Sequence, residues 1–139
     1  MKQSNLYMLS FVFVLSVLSI GCASAPSQEQ LDTADYGSPI SQLEAERKAK
    51  VWLKGHLKDP NSAEIDWGVV EPGWIRDAPI QGGGFVFGYR LDSQVNAKNS
   101  FGGYTGYKPY IFLFYYGEFK RILGQDELDQ GVTYLRRWK

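Results

Sequence analysis

The sequence predicts an α+β fold: one N-terminal amphipathic helix packed on a mostly antiparallel sheet of about four strands, followed by a short C-terminal helix. Three observations carry that prediction. Apolar residues recur at helical spacing within residues 41–57, two-residue alternation runs through 85–96, and 110–116 is a continuous aromatic and aliphatic run.

The helix has a legible start and stop. Ser41 followed three places later by Glu44 predicts a capping box, and Ile40 is placed to staple onto Ala45. The stop falls at about Leu57, before Asp59-Pro60, because a residue preceding proline avoids the α region. At roughly 100° per residue, Ala45, Ala49, Trp52, Leu53 and His56 share one face, and Arg47, Lys50, Lys54 and Lys58 share the other. Leu43 and Val51 depart from that division.

In residues 63–70, Ile65, Trp67 and Val69 alternate with Glu64, Asp66 and Gly68, the period of a half-buried strand. Glu71-Pro72-Gly73 predicts a break, and residues 74–84, with Pro79 and successive glycines at 82, 83 and 84, predict a loop or irregular edge. Phe85, Phe87, Tyr89 and Leu91 then alternate with Val86, Gly88, Arg90 and Asp92 in a second strand that reaches Asn96. The run 110–116 lacks such alternation, so both its faces are expected to be covered. Gly117-Glu118 predicts a tight turn into a strand over 119–123. Leu128, Val132 and Leu135 predict the last short helix over 126–137, with Gly131 counting against it.

Residues 39–139 thus read as one domain, and the preceding residues as its delivery. Leu6 to Ile20 is apolar and uncharged behind Lys2. It is short for a membrane span, which needs roughly 20 residues, and suits the core of a signal peptide. Cleavage after Ala25 is disfavoured by Pro26, whose fixed φ and missing N–H disturb the extended backbone a protease grips. Ser19-Ile20-Gly21-Cys22 instead resembles the lipobox of bacterial lipoproteins, with Ser19 where leucine is usual. The resemblance implies a signal peptide over 1–21, diacylation of Cys22 on sulfur, and, because Ala23 and not aspartate follows, sorting to the outer membrane facing the periplasm. Cys22 is the only cysteine, so the exported domain has no internal disulfide. Residues 22–38 are small, polar or acidic and predict a flexible tether behind the lipidated cysteine.

Lys+Arg and Asp+Glu balance at 15 each. A formal charge of zero gives no long-range attraction to nucleic acid, and membrane contact is expected through the acyl chains on Cys22. The single histidine, His56, lies on the apolar helix face, which predicts a packed side chain and no catalytic base. One histidine and scattered acids offer no metal-ligand spacing. The three glycines at 82–84 lack the lysine and helix of a phosphate-binding loop, so no cofactor is expected. Glu64 and Asp66 share a strand face, and two carboxylates are the minimum for attack on a glycosidic bond, but positions i and i+2 lie side by side and do not flank a substrate. The cationic helix stripe reads as a solvated face, with lipid headgroups the alternative.

The richest binding chemistry is NAKNSFGGYTGYKPY, residues 96–110. Glycines 102, 103 and 106 permit positive φ, and Asn96, Asn99 and Ser100 can tie the loop to its own backbone. Phe101, Tyr104 and Tyr107 then either pin the loop to the sheet or stand out as rigid contacts, and Lys98 and Lys108 can meet an anion. Together with DPNSAEI, this segment resembles a broad set of small bacterial exported proteins and lipoproteins that share a DP-x-SA segment after a helix and an NAKN-x-(Phe/Tyr)-GGY-x-G segment between strands. The matching positions are Asp59, Pro60, Ser62 and Ala63, then Asn96 to Asn99, Phe101 to Tyr104 and Gly106. Many such proteins carry a cysteine shortly before the second motif, where this chain has Asp92-Ser93-Gln94. The resemblance brings no activity with it. The expectation is a lipid-anchored envelope protein, not an enzyme, whose loop contacts an envelope protein or the cell wall; the alternative is an enzyme or enzyme inhibitor acting on cell-wall glycan.

Overall fold

The computed structural model describes residues 25–77 and 82–124. The signal peptide over 1–21, the lipidation site Cys22 and the C-terminal helix over 126–137 lie outside the described residues. The described chain runs α1 (Gln28–Asp32), α2 (Gln42–His56), β1 (Asp59–Trp67), β2 (Glu71–Arg76), β3 (Phe85–Lys98), β4 (Lys108–Tyr115) and β5 (Glu118–Leu123).

The five strands form one antiparallel sheet in the order β1-β3-β4-β5, with β2 also on β3. β3 is 14 residues long and serves two partners along one edge: β1 pairs with its Ser93–Lys98 half and β2 with its Phe85–Arg90 half. The sheet therefore has five strands where about four were expected. Glu71-Pro72-Gly73, expected to break a strand, opens β2 instead. Proline fits there because β2 has a strand partner on one side only, and the missing N–H can face away from the ladder.

Between β1 and β2 a helix side chain holds the corner. Gln42 Nε2 donates to Gly68 O at 2.9 Å, and Gln42 Oε1 accepts from the Val70 N–H at 2.8 Å. Val69, which alternation places beside Trp67, is 76% exposed, and Val70 packs on the core in its stead.

α2 begins at a working cap, Ser41 Oγ accepting from the Glu44 N–H at 3.3 Å. The box is only half made, because the Glu44 carboxylate is taken by Arg47 at 2.6 and 2.8 Å. Ala45, Ala49 and Leu53 meet Leu91, Val95, Phe112 and Phe114, the two alanines letting the helix come close to the larger residues of the sheet. Ile40 joins the same cluster, while Leu43 and Val51 remain in solvent. Ile75, Leu113 and Leu123 form a second cluster on the other face. Phe112, Leu113 and Phe114 are all fully buried, which is why residues 110–116 show no alternation. A two-pronged ion pair, Arg121 to Asp77 at 2.9 and 3.0 Å, spans the sheet from β5 to the end of β2. The β4–β5 turn sits at Tyr116-Gly117, both with positive φ (50° and 77°), one place earlier than Gly117-Glu118.

The stretch expected as a tether is fastened to the sheet before its end. Tyr36 meets the Phe87 ring edge-on at 5.7 Å, the Tyr115 hydroxyl donates to Asp35, and Gly37, at φ 72°, lies so close that a Cβ would stand 2.8 Å from the Tyr116 nitrogen. One tyrosine and one aspartate in a polar segment suffice for this, so its composition does not reveal it. The hydrogen bond from Tyr115 holds Asp35 below the ordinary aspartate value, and the same bond pushes Tyr115 up to about 12. A lowered aspartate stabilises docking above its unfolded value of 3.8, and that contribution is lost as pH falls through the lower folded value. A raised tyrosine contributes below 10.0 and loses its contribution as pH rises toward about 12. The strap should therefore hold across the middle range and loosen at both extremes. Exchange of the Gly37 amide, which donates to Asp35 Oδ1 at 2.9 Å, reports the acid limb. Phenolate absorbance reports the alkaline one. Acid-independent exchange at Gly37, or no difference between the wild type and Asp35→Asn, would refute this.

Candidate binding site

The two sequence motifs meet in space. β1 and β3 run antiparallel with Asp59 opposite Lys98 and Glu64 opposite Asn96, and the register shifts between those pairs. Ser62 fills the irregularity: its hydroxyl donates to Asp59 O at 2.8 Å and accepts from the Lys98 N–H at 2.9 Å. The DP-x-SA segment thus supports the strand end from which the NAKN loop departs.

The loop's backbone is tied by Asn99. Its Oδ1 accepts from the N–H groups of Phe101 and Gly103 at 2.9 and 3.1 Å, its carbonyl accepts from Gly102 at 3.0 Å, and its own N–H donates to Gly103 O at 2.9 Å. Lys98 and Tyr104 form a further β-bridge, and the Thr105 N–H and hydroxyl both donate to Ala97 O at 3.3 Å. Gly102 and Gly106 use positive φ (81° and 86°), where side chains are strained. Gly103 does not, so only two of the three glycines are needed for backbone reasons.

With its backbone tied, the loop leaves its rings outside. Phe101 is 97% exposed, Tyr104 48% and Tyr107 56%. Glu64 gathers what lies beneath them. Tyr107 OH and Asn96 Nδ2 donate to Glu64 Oε2 at 3.4 and 3.3 Å. Desolvation, followed by the Glu64 charge, raises both tyrosines above their ordinary values. Lys98 Nζ stands 5.3 Å from the Tyr104 ring centroid, in cation–π range.

Of the seven predicted loop residues, Asn96 and Tyr107 bond to Glu64, and Lys98 stands over the Tyr104 ring. Asn99 is committed to the backbone, and Phe101 stands alone at the apex. Lys108 is opposite Val95, whose side chain enters the α2 core, so Lys108 belongs to the other sheet face. Sequence reading missed Ser62, and weighed Glu64 only as half of a carboxylate pair. Alternation does place Glu64 and Asn96 on the polar sides of their strands, but the pairing that joins them has no local signal.

Elsewhere the helix face is occupied by its own contacts. His56 is exposed and stacked on Trp52 at 3.8 Å, because the Trp52 indole, edge-on to Tyr110 and Phe112, takes the place against the sheet. Lys48 pairs with Glu118 at 2.8 Å, and Lys50 stands 5.7 Å from the Trp67 ring centroid. Among the described residues no group of three or more His, Cys, Asp or Glu side chains could hold a metal, and no helix is long and apolar enough to cross a membrane. No family model, curated protein or solved structure matches the chain.

Proposed function

We propose that this is a lipid-anchored bacterial envelope protein, held at the outer membrane by acylated Cys22, whose domain is a non-enzymatic binding module acting through the loop of residues 96–110. The observation that supports the reading is Phe101: a large apolar side chain 97% exposed at the tip of a loop whose backbone is otherwise tied down. A loop serving only as a connection gains nothing from such a residue. An exposed aromatic on a rigid support loses little entropy on binding. The placement agrees. The N-terminal strap enters beside the β4–β5 turn, and the loop opens at the other end of β4, eight residues away. At about 3.3 Å per residue the loop is carried roughly 25 Å from the point where the anchored segment arrives.

The test is photocrosslinking in cells, with the probe at position 101 and a control probe at Lys54 on the exposed side of α2. A discrete partner from position 101 alone is the expected result. Phe101→Ala should change stability by under about 0.5 kcal/mol, and should release the partner in a co-purification assay. Equal labelling from both positions, or a Phe101→Ala variant that retains its partners, would count against the loop.

A further inference from the structure

Resting on the loop as the binding site, we infer that its ligand is a neutral, linear glycan lying along the β1–β3 face from the two tyrosines. The face opposite α2 carries Glu64 opposite Asn96 and, two residues on, Asp66 opposite Gln94. Glu64, Asp66 and Gln94 are exposed and Asn96 half-buried. Successive pairs on one face repeat at about 7 Å, so this is a strip of planar amide and carboxylate groups with Tyr104 and Tyr107 at its end. Hydroxyl-rich chains are recognised by this combination. Half-exposed rings take the C–H faces of the sugar, and the exposed Gln94 amide and the two carboxylates pair with its hydroxyls in both senses.

Charge argues against the other small-ligand classes. After desolvation, the negative charge of Glu64 with Asp59 raises Tyr104 and that of Glu64 with Asp66 raises Tyr107, a potential that disfavours an anion. A ligand cation would have to displace Lys98 from the Tyr104 ring. A neutral sugar is not repelled by the carboxylates, and stacking on Tyr107 requires no displacement of Lys98. A carboxylate has about four acceptor positions, so Glu64 keeps room for a ligand hydroxyl beside Asn96 and Tyr107. The Tyr107 hydroxyl, which donates to Glu64, can accept from the same chain.

The probe is chitotetraose, a neutral oligosaccharide, added to the purified lipidated chain in detergent micelles while backbone amide resonances are followed by NMR. Its positively charged deacetylated analogue forms a second arm. Shifts confined to the loop and to Gln94, with binding weakened at least roughly tenfold in Glu64→Gln and in Tyr104→Ala, are expected. Both variants should melt close to the wild type. Binding of the charged analogue alone, or of neither, would overturn the glycan assignment. In that event the crosslink from position 101 decides separately whether the loop binds: a discrete protein partner would keep the site and change its ligand, and its absence would remove both.

Discussion

Phe112→Ala should lower the free energy of unfolding by about 3–5 kcal/mol. Phe112 is fully buried at the centre of the α2-side core, with ring contacts to Trp52 at 5.8 Å, Tyr110 at 6.3 Å and Phe119 at 6.0 Å. Its backbone lies between Leu91 of β3 and Ile122 of β5, so the surrounding strands cannot collapse into the space without breaking their ladders. The loss then includes the transfer of the ring and the cavity left behind. Against a total stability of about 5–15 kcal/mol for a domain, that is a large fraction. Urea denaturation should show a lower midpoint with an unchanged slope. A loss below about 1 kcal/mol would mean that the helix and sheet do not share this core.

Gly88→Ala should be nearly as damaging, by about 3 kcal/mol, for a different reason. A Cβ there would lie 2.3 Å from the Phe114 carbonyl oxygen and 3.1 Å from Leu113 Cγ. The first neighbour is main chain in the middle of the sheet, so relief requires β3 and β4 to part, and overpacking of this kind commonly costs about 1–3 kcal/mol or more. Gly55→Ala is the control. Nothing lies within 4 Å of a Cβ at Gly55, which sits on the exposed side of α2. Alanine there should stabilise by about 0.5–1 kcal/mol through helix propensity. Thermal melts of the two variants side by side should move in opposite directions. A Gly88→Ala protein that melts with the wild type would show that the β3–β4 approach is looser than drawn.

The two glycines also show where reading a sequence stops. Gly55 and Gly88 look alike in the chain, one inside a helical pattern and one inside an alternating one. Only the neighbour across the sheet separates them. Pro72 misled in the same way, since proline ends a central strand but not an edge strand, and edge or centre is a property of the assembled sheet. Glu44 was legible as a capping partner, yet Arg47, one helical turn on, takes its carboxylate.

What the sequence by itself determined is the set of short-range patterns: the cap at Ser41, the stripe of Ala45, Ala49 and Leu53, the alternation through β3, the doubly covered run of β4 and the aromatic, glycine-rich loop after Lys98. Each of these arises from neighbours within a few residues, where backbone periodicity alone relates position to face. The tertiary structure decided the rest: the second partner of β3, the corner held by Gln42, the strap at Asp35 and Tyr36, and the meeting of Glu64 with Asn96 and Tyr107. Those depend on register, and a shift of one residue turns every side chain of a strand to the opposite face without changing its local pattern. The candidate site is built from residues 32 or more apart in the chain, Glu64 to Asn96 and Glu64 to Tyr107, so no window of sequence contains it.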